Sequence, residues 1–280
     1  MSTLTRESKQ RTHTLFQANP VLRRLSKITE RSETNAATYA GIATKTSFFL
    51  LITLVGMIAQ LLVMASMGEP VWQTVTVYEK FTVSLSRNEA VIFAAVLVAG
   101  FVCELLGIFI RKTVPVTGTL YAASQGYVIS FLVFKVLKGY EYLGLEALLL
   151  TVAVVAVMSW LYSSGIIRAD KKFRTVLLSL VIGSVGVGLL SFLGSLIPAT
   201  RPFVQAMMQN RALTVSLDVL GLVIASLFLI SDFSMIDDCV RQRYPKQYEW
   251  SAAFGLVFTV IWIYLKILDL LMQFTDNKKN

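Results

Sequence analysis

Five ionisable side chains stand inside long apolar runs of this sequence: Glu104, Asp218, Asp232, Lys266 and Asp269. In water such residues would need no explanation. Within hydrocarbon each costs on the order of a few kcal/mol, so they face a bundle interior, pair with one another, and mark ion or proton routes. Their spacing supports that. Near the C-terminus Thr259, Trp262, Lys266, Asp269 and Gln273 recur every three or four positions, which places them on one helical face among Val, Ile, Leu and Phe. Asp218, Gly221, Ala225, Leu229 and Asp232 share a second face, and Gly100, Glu104, Gly107 and Arg111 a third. The chemistry on offer is charge handling by carboxylates and one ammonium. Asp232 and Lys266 are expected to touch, as a static bridge orienting two helices or as a working ion or proton site. Glu104 reads as a partner of Arg111, as a partner of a tyrosine hydroxyl, or as part of the route. Asp218 and Asp269 lie nearer helix ends, where a solvated interfacial position competes with a place on the path.

The elements that must position these groups are transmembrane helices. The chain has 280 residues, 55% hydrophobic and 15% charged, with a mean hydropathy of +0.65, more apolar and less charged than soluble domains. Seven runs are long enough to span a bilayer: 47–67, 90–110, 114–134, 147–165, 176–197, 213–236 and 252–274. A barrel would show shorter, strictly alternating segments, so the fold class is an all-α integral membrane protein. The expected organisation is a basic N-terminal tail (1–46), a transmembrane domain (47–274) and a short polar tail (275–280). No apolar core with a cleavage site precedes the first run, so no signal peptide is expected.

Lys and Arg accumulate in cytoplasmic loops. With the N-terminus inside, seventeen of them lie on the cytoplasmic side and eight on the other. The expected place is therefore the cell membrane, with a cytoplasmic N-terminus. Seven crossings leave Lys278 and Lys279 outside unless the last segment re-enters.

Several chemistries find no support. The single histidine, His13, has no neighbour with which to bind a metal or complete a triad. Cys103 and Cys239 form no disulfide framework or metal spacing. Gly183, Gly186 and Gly188 resemble a nucleotide loop only superficially, since no strand precedes them and no Lys-Ser/Thr follows; close packing of helices is the expected reason for them. The net charge of +9 suits anionic lipid heads, with no nucleic-acid motif beside it. No enzyme activity, cofactor or resident metal is expected.

The order of certain pieces resembles the Bax inhibitor/YccA family, also called TMBIM, in its bacterial branch with a long N-terminal tail. The pieces are Asn19-Pro20-Val21, Leu120-Tyr121-Ala122 with Gln125-Gly126 and Ser130, and Glu146-Ala147 with Thr151. Leu161-Tyr162-Ser163-Ser164-Gly165-Ile166-Ile167 and Asp232-Phe233 with Ile236 follow, then Glu249 through Leu256 running into Trp262-Ile263-Tyr264-Leu265. The resemblance implies seven helices, six around a central seventh, and in some members a pH-dependent Ca²⁺ leak gated by two acids that share protons. It places Asp232 at the sixth-helix acid and Lys266 at the seventh-helix acid, while Gln125-Gly126 stands where close relatives often have Glu-Gly. A lysine in place of an acid would hold Asp232 ionised, replacing a proton switch with a permanent latch. The implied partners are the lipid bilayer, Ca²⁺ or H⁺, and, as in other members, a membrane protease. Regulation of membrane-protein quality control is thus a second functional reading, and small-solute transport a third.

Overall fold

The structure, a computed structural model, describes residues 36–66, 73–78, 80–167 and 169–277. Most of the expected N-terminal tail, with His13 and Asn19-Pro20-Val21, and the last three residues lie outside the described residues.

The chain forms helices α1 (Tyr39–Ser66), α2 (Arg87–Phe109), α3 (Val114–Phe131), α4 (Tyr142–Ser163), α5 (Lys171–Leu196), α6 (Arg201–Gln209), α7 (Arg211–Arg241) and α8 (Tyr248–Asn277). Polar residues at loop ends start several of them. Ser86 accepts from the Glu89 N–H at 3.2 Å and Glu89 accepts from the Ser86 N–H at 3.0 Å, a reciprocal cap for α2. Asp170 caps α5 through the Phe173 N–H at 2.7 Å, and Asn210 caps α7 through the Leu213 N–H at 3.2 Å. Several helices begin before the apolar runs do: α1 at Tyr39 rather than Ser47, α4 at Tyr142 rather than Ala147. Hydropathy marks the hydrocarbon-soluble part of a helix, whereas its backbone hydrogen bonds continue into the polar layer.

Six helices, all but α3 and the short α6, are long and apolar enough to cross a membrane. The third expected run is carried by α3 and its continuation, yet Thr117, Ser124 and Ser130 interrupt its apolar character. These residues are buried, so protein rather than lipid surrounds most of this helix. At its end Leu132–Val136 form a π turn, with the Leu137 N–H donating to Leu132 C=O at 2.9 Å. The turn aims Lys135 at Glu89 on α2, and the two form a salt bridge.

The loop between α1 and α2 holds an antiparallel hairpin, β1 (Gln73–Tyr78) with β2 (Phe81–Leu85), which hydropathy alone did not predict. Its β-branched and aromatic residues suit strands, and β2 alternates: Phe81 and Val83 are buried while Thr82 and Ser84 face out. The hairpin sits over the end of α8, where the Lys80 N–H donates to Asp276 Oδ1 at 2.9 Å and Lys80 Nζ donates to Thr275 C=O.

Among the spans, α8 is the most buried, and it meets α1, α2, α3, α4 and α7. Glu249 abuts Gly41 of α1, Phe254 lies against Gly107 of α2 and the Tyr121 ring of α3, and the Tyr264 hydroxyl donates to Gly144 C=O of α4 at 3.3 Å. Trp262 joins the Leu177–Ile224–Phe228 cluster shared by α5 and α7. A central last helix is therefore what the packing contains. Backbones approach most closely between α1 and α3, where a methyl on Gly126 would lie 1.9 Å from Thr53 O and one on Gly56 2.0 Å from Ala123 O.

The expectation of close packing at Gly183, Gly186 and Gly188 fails: among the described residues, a methyl on any of them would meet nothing within 4 Å. The reason is position. α5 is a peripheral helix whose main contacts are with α6 and α7.

Candidate functional site

The seam between α7 and α8 gathers the charges that the sequence singled out. The two helices run antiparallel, joined by a short connection. Asp232, wholly buried, accepts from the Thr259 hydroxyl through Oδ2 at 2.6 Å. Further along, Asp218 accepts from Lys266 Nζ at 2.7 Å on Oδ1 and from Gln273 Nε2 at 2.7 Å on Oδ2. Arg211 closes this end by donating to the Gln273 C=O. Thr259 and Gln273 are almost fully buried and Lys266 and Asp269 partly so. The three-and-four spacing located the α8 face that meets α7, yet Trp262, Lys266 and Asp269 on it are less buried than Ile263, Ile267 and Leu268 on the other faces of this central helix.

The expected pairing of Lys266 with Asp232 is not what forms. Register explains why. Asp232 stands level with Thr259 and Asp218 with Gln273, whereas Lys266 lies seven positions from each of those α8 residues. At 1.5 Å per residue it is roughly 10 Å along the axis from either carboxylate. Its stem runs over Gly221, where a methyl would lie 3.5 Å from Cε, and reaches Asp218. The latch anticipated on Asp232 is thus built on Asp218.

The remaining candidates do not join the seam. Glu104 is partly buried on α2 and forms no ion pair with Arg111. Arg111 instead lies over the Tyr248 ring, its Cζ 4.2 Å from the centroid, and its Nε is buried without a hydrogen-bond partner among the described residues. Gln125 is partly buried on α3, and no hydrogen bond links it to the α7–α8 charges among the described residues.

Sequence reasoning missed a second set of buried charges at the other end of α8. Glu249 is fully buried, with Lys45 Nζ 2.5 Å from Oε2 and the Thr38 N–H and hydroxyl at 2.9 and 3.2 Å from Oε1. Both charges lie just before an apolar run, the first and the last, and so read as loop residues. Nearby, Asp237 accepts from the Tyr39 hydroxyl of α1 at 2.7 Å and the Tyr162 hydroxyl of α4 at 2.9 Å. Arg174 of α5 donates to the Ser234 hydroxyl at 2.9 Å and stands 3.6 Å from Asp238. These contacts fasten α1, α4, α5, α7 and α8 together at one end. The opposite end of the α7–α8 pair holds Asp218, Lys266, Gln273 and Arg211.

Among the described residues no group of three or more His, Cys, Asp or Glu is arranged to hold a metal ion. The seam offers its carboxylates one at a time, Asp232 beside Thr259 and Asp218 beside Lys266 and Gln273. In comparisons with known proteins, a family described as Bax inhibitor 1 like matches residues 19–276. No curated protein matches the chain.

Proposed function

Since this chain belongs to the Bax inhibitor 1 like family of multi-pass membrane proteins, we propose that it provides a cation leak along the α7–α8 seam. The observation that carries this reading is Asp232, a carboxylate wholly buried within the bundle and met by the Thr259 hydroxyl. A carboxylate at that depth is expensive to keep and marks a route for cations or protons. In this reading α3 serves as a seventh crossing, shielded from lipid by its neighbours. The N-terminus is cytoplasmic, in keeping with the excess of Lys and Arg on that side, and the membrane is the cell membrane. Ca²⁺ takes six to eight oxygens, so the seam would pass it in a hydrated state, stepping past Asp232 and Asp218 in turn.

The test is Ca²⁺ or K⁺ entry into dye-loaded liposomes that contain only this protein, measured at several pH values. Flux through the unmodified protein that Asp232→Asn largely removes supports the reading, and absence of flux from the unmodified protein overturns it. In that event copurification with a membrane protease is the next measurement, because quality-control regulation requires no conduction.

A further inference from the structure

The α7–α8 register places Lys266 midway between two carboxylates. It lies seven positions from Thr259, the level of Asp232, and seven from Gln273, the level of Asp218. Each carboxylate is therefore roughly 10 Å from the lysine along the axis, in opposite directions. That the flexible ammonium arm can cover this distance is plain from its 2.7 Å bond to Asp218.

Covalent geometry favours the other direction at least as well. Cα–Cβ bonds tilt toward a helix's N-terminus, so Lys266 leans toward the level of Thr259. Asp232, on the antiparallel helix, leans toward Lys266, while Asp218 leans away. Lys266 stands level with Ala225, a small side chain on the α7 face, and the inward path runs from there past Leu229 to Asp232. Each carboxylate also has a neutral donor of its own, Gln273 Nε2 on Asp218 and the Thr259 hydroxyl on Asp232. Departure of the ammonium leaves a hydrogen bond at the site it vacates. Gly221 provides the slot for the outward position, its missing side chain leaving room for the Lys266 stem.

We propose that Lys266 is a two-position counter-charge, outward on Asp218 as seen here and inward on Asp232 in a second state. The move carries one positive charge from one end of the seam to the other and so decides which carboxylate attracts cations. The functional consequence rests on reading the seam as a cation route; the second position itself does not.

Asp218→Asn removes the outward partner. In that background, thermal unfolding of the purified full chain should show non-additive losses for Lys266→Met and Asp232→Asn, whereas in the unmodified protein the same two changes should add. Liposome flux of K⁺ should fall in Asp218→Asn by between about 5- and 150-fold and recover when Lys266→Met is added. Should Asp218→Asn not fold, Gly221→Leu, which fills the slot, should produce the same coupling. Additive losses in whichever of these backgrounds folds would overturn the second position. Coupling without cation flux from any form would keep the two-position lysine and overturn only the leak.

Discussion

The glycines of α3 and those of α5 belong to one residue type and two different environments. Gly126 on α3, with Gly56 on α1, lets two backbones meet so closely that an added methyl would overlap a carbonyl of the other helix. Among the described residues, Gly183, Gly186 and Gly188 on α5 meet nothing within 4 Å. The difference teaches that small residues permit close helix approach but do not cause it; a partner must be present, and α5 is at the edge of the bundle. Helices α1, α3 and α8 form a tightly fitted centre, while α5 is attached along one side through α6 and α7.

The largest effect that would test this contrast is at the close approach itself. Gly126→Val must push α1 and α3 apart, at a cost of at least about 3 kcal/mol, the upper end for overpacking. The expected outcome is loss of the monodisperse folded species on size exclusion in detergent. A normal profile would show that α1 and α3 are not closely joined. Next comes the charge that pins α1 to α8. Glu249→Gln strands Lys45 beside a buried site and should cost about 3–5 kcal/mol, as for other broken buried pairs. Adding Lys45→Met should recover part of that loss in thermal unfolding, and simple additivity would mean that the pair does not hold α1.

On the α5 side the effects should be smaller. Arg174→Gln removes the bond to Ser234 and the proximity to Asp238, for which about 1–2 kcal/mol is expected. The loss should appear as earlier hydrogen exchange in α5 with α1 and α3 unchanged; loosening of all helices together would erase the distinction between centre and edge. The smallest effect is expected at Gly186→Ala. With nothing nearby to clash, the change should be neutral or stabilising by up to about 1 kcal/mol through helix propensity. A fall in melting temperature, or a change in oligomeric state, would reveal that α5 has a partner there after all.

These regions also show what the sequence made legible. The apolar runs were visible because hydropathy is local, and the facing stripes of α7 and α8 were visible because a 3.6-residue period is a property of one helix. Which residues meet across two helices depends on register, a property of the pair. Period alone could not tell that Lys266 stands level with neither acid, so the pairing with Asp232 was misjudged while its face was identified correctly. The α5 glycines failed for a related reason, since nothing within residues 183–188 reports whether a neighbour exists. The hairpin went unseen because its short alternating strands lie between apolar runs long enough to dominate any hydropathy reading. Glu249 was hidden by its place just outside such a run, although α8 begins before the run does.

The π turn at Leu132–Val136 bears on how this chain can change length. A π turn holds one residue more than an α-helical turn, and here it closes the end of α3. Because the wider turn absorbs the extra residue, deleting one residue within it should leave the chain beyond nearly in phase and let α3 end in an ordinary α-helical turn. The turn is therefore the place along α3 where the chain can lose a residue with the least disturbance to the Lys135–Glu89 salt bridge.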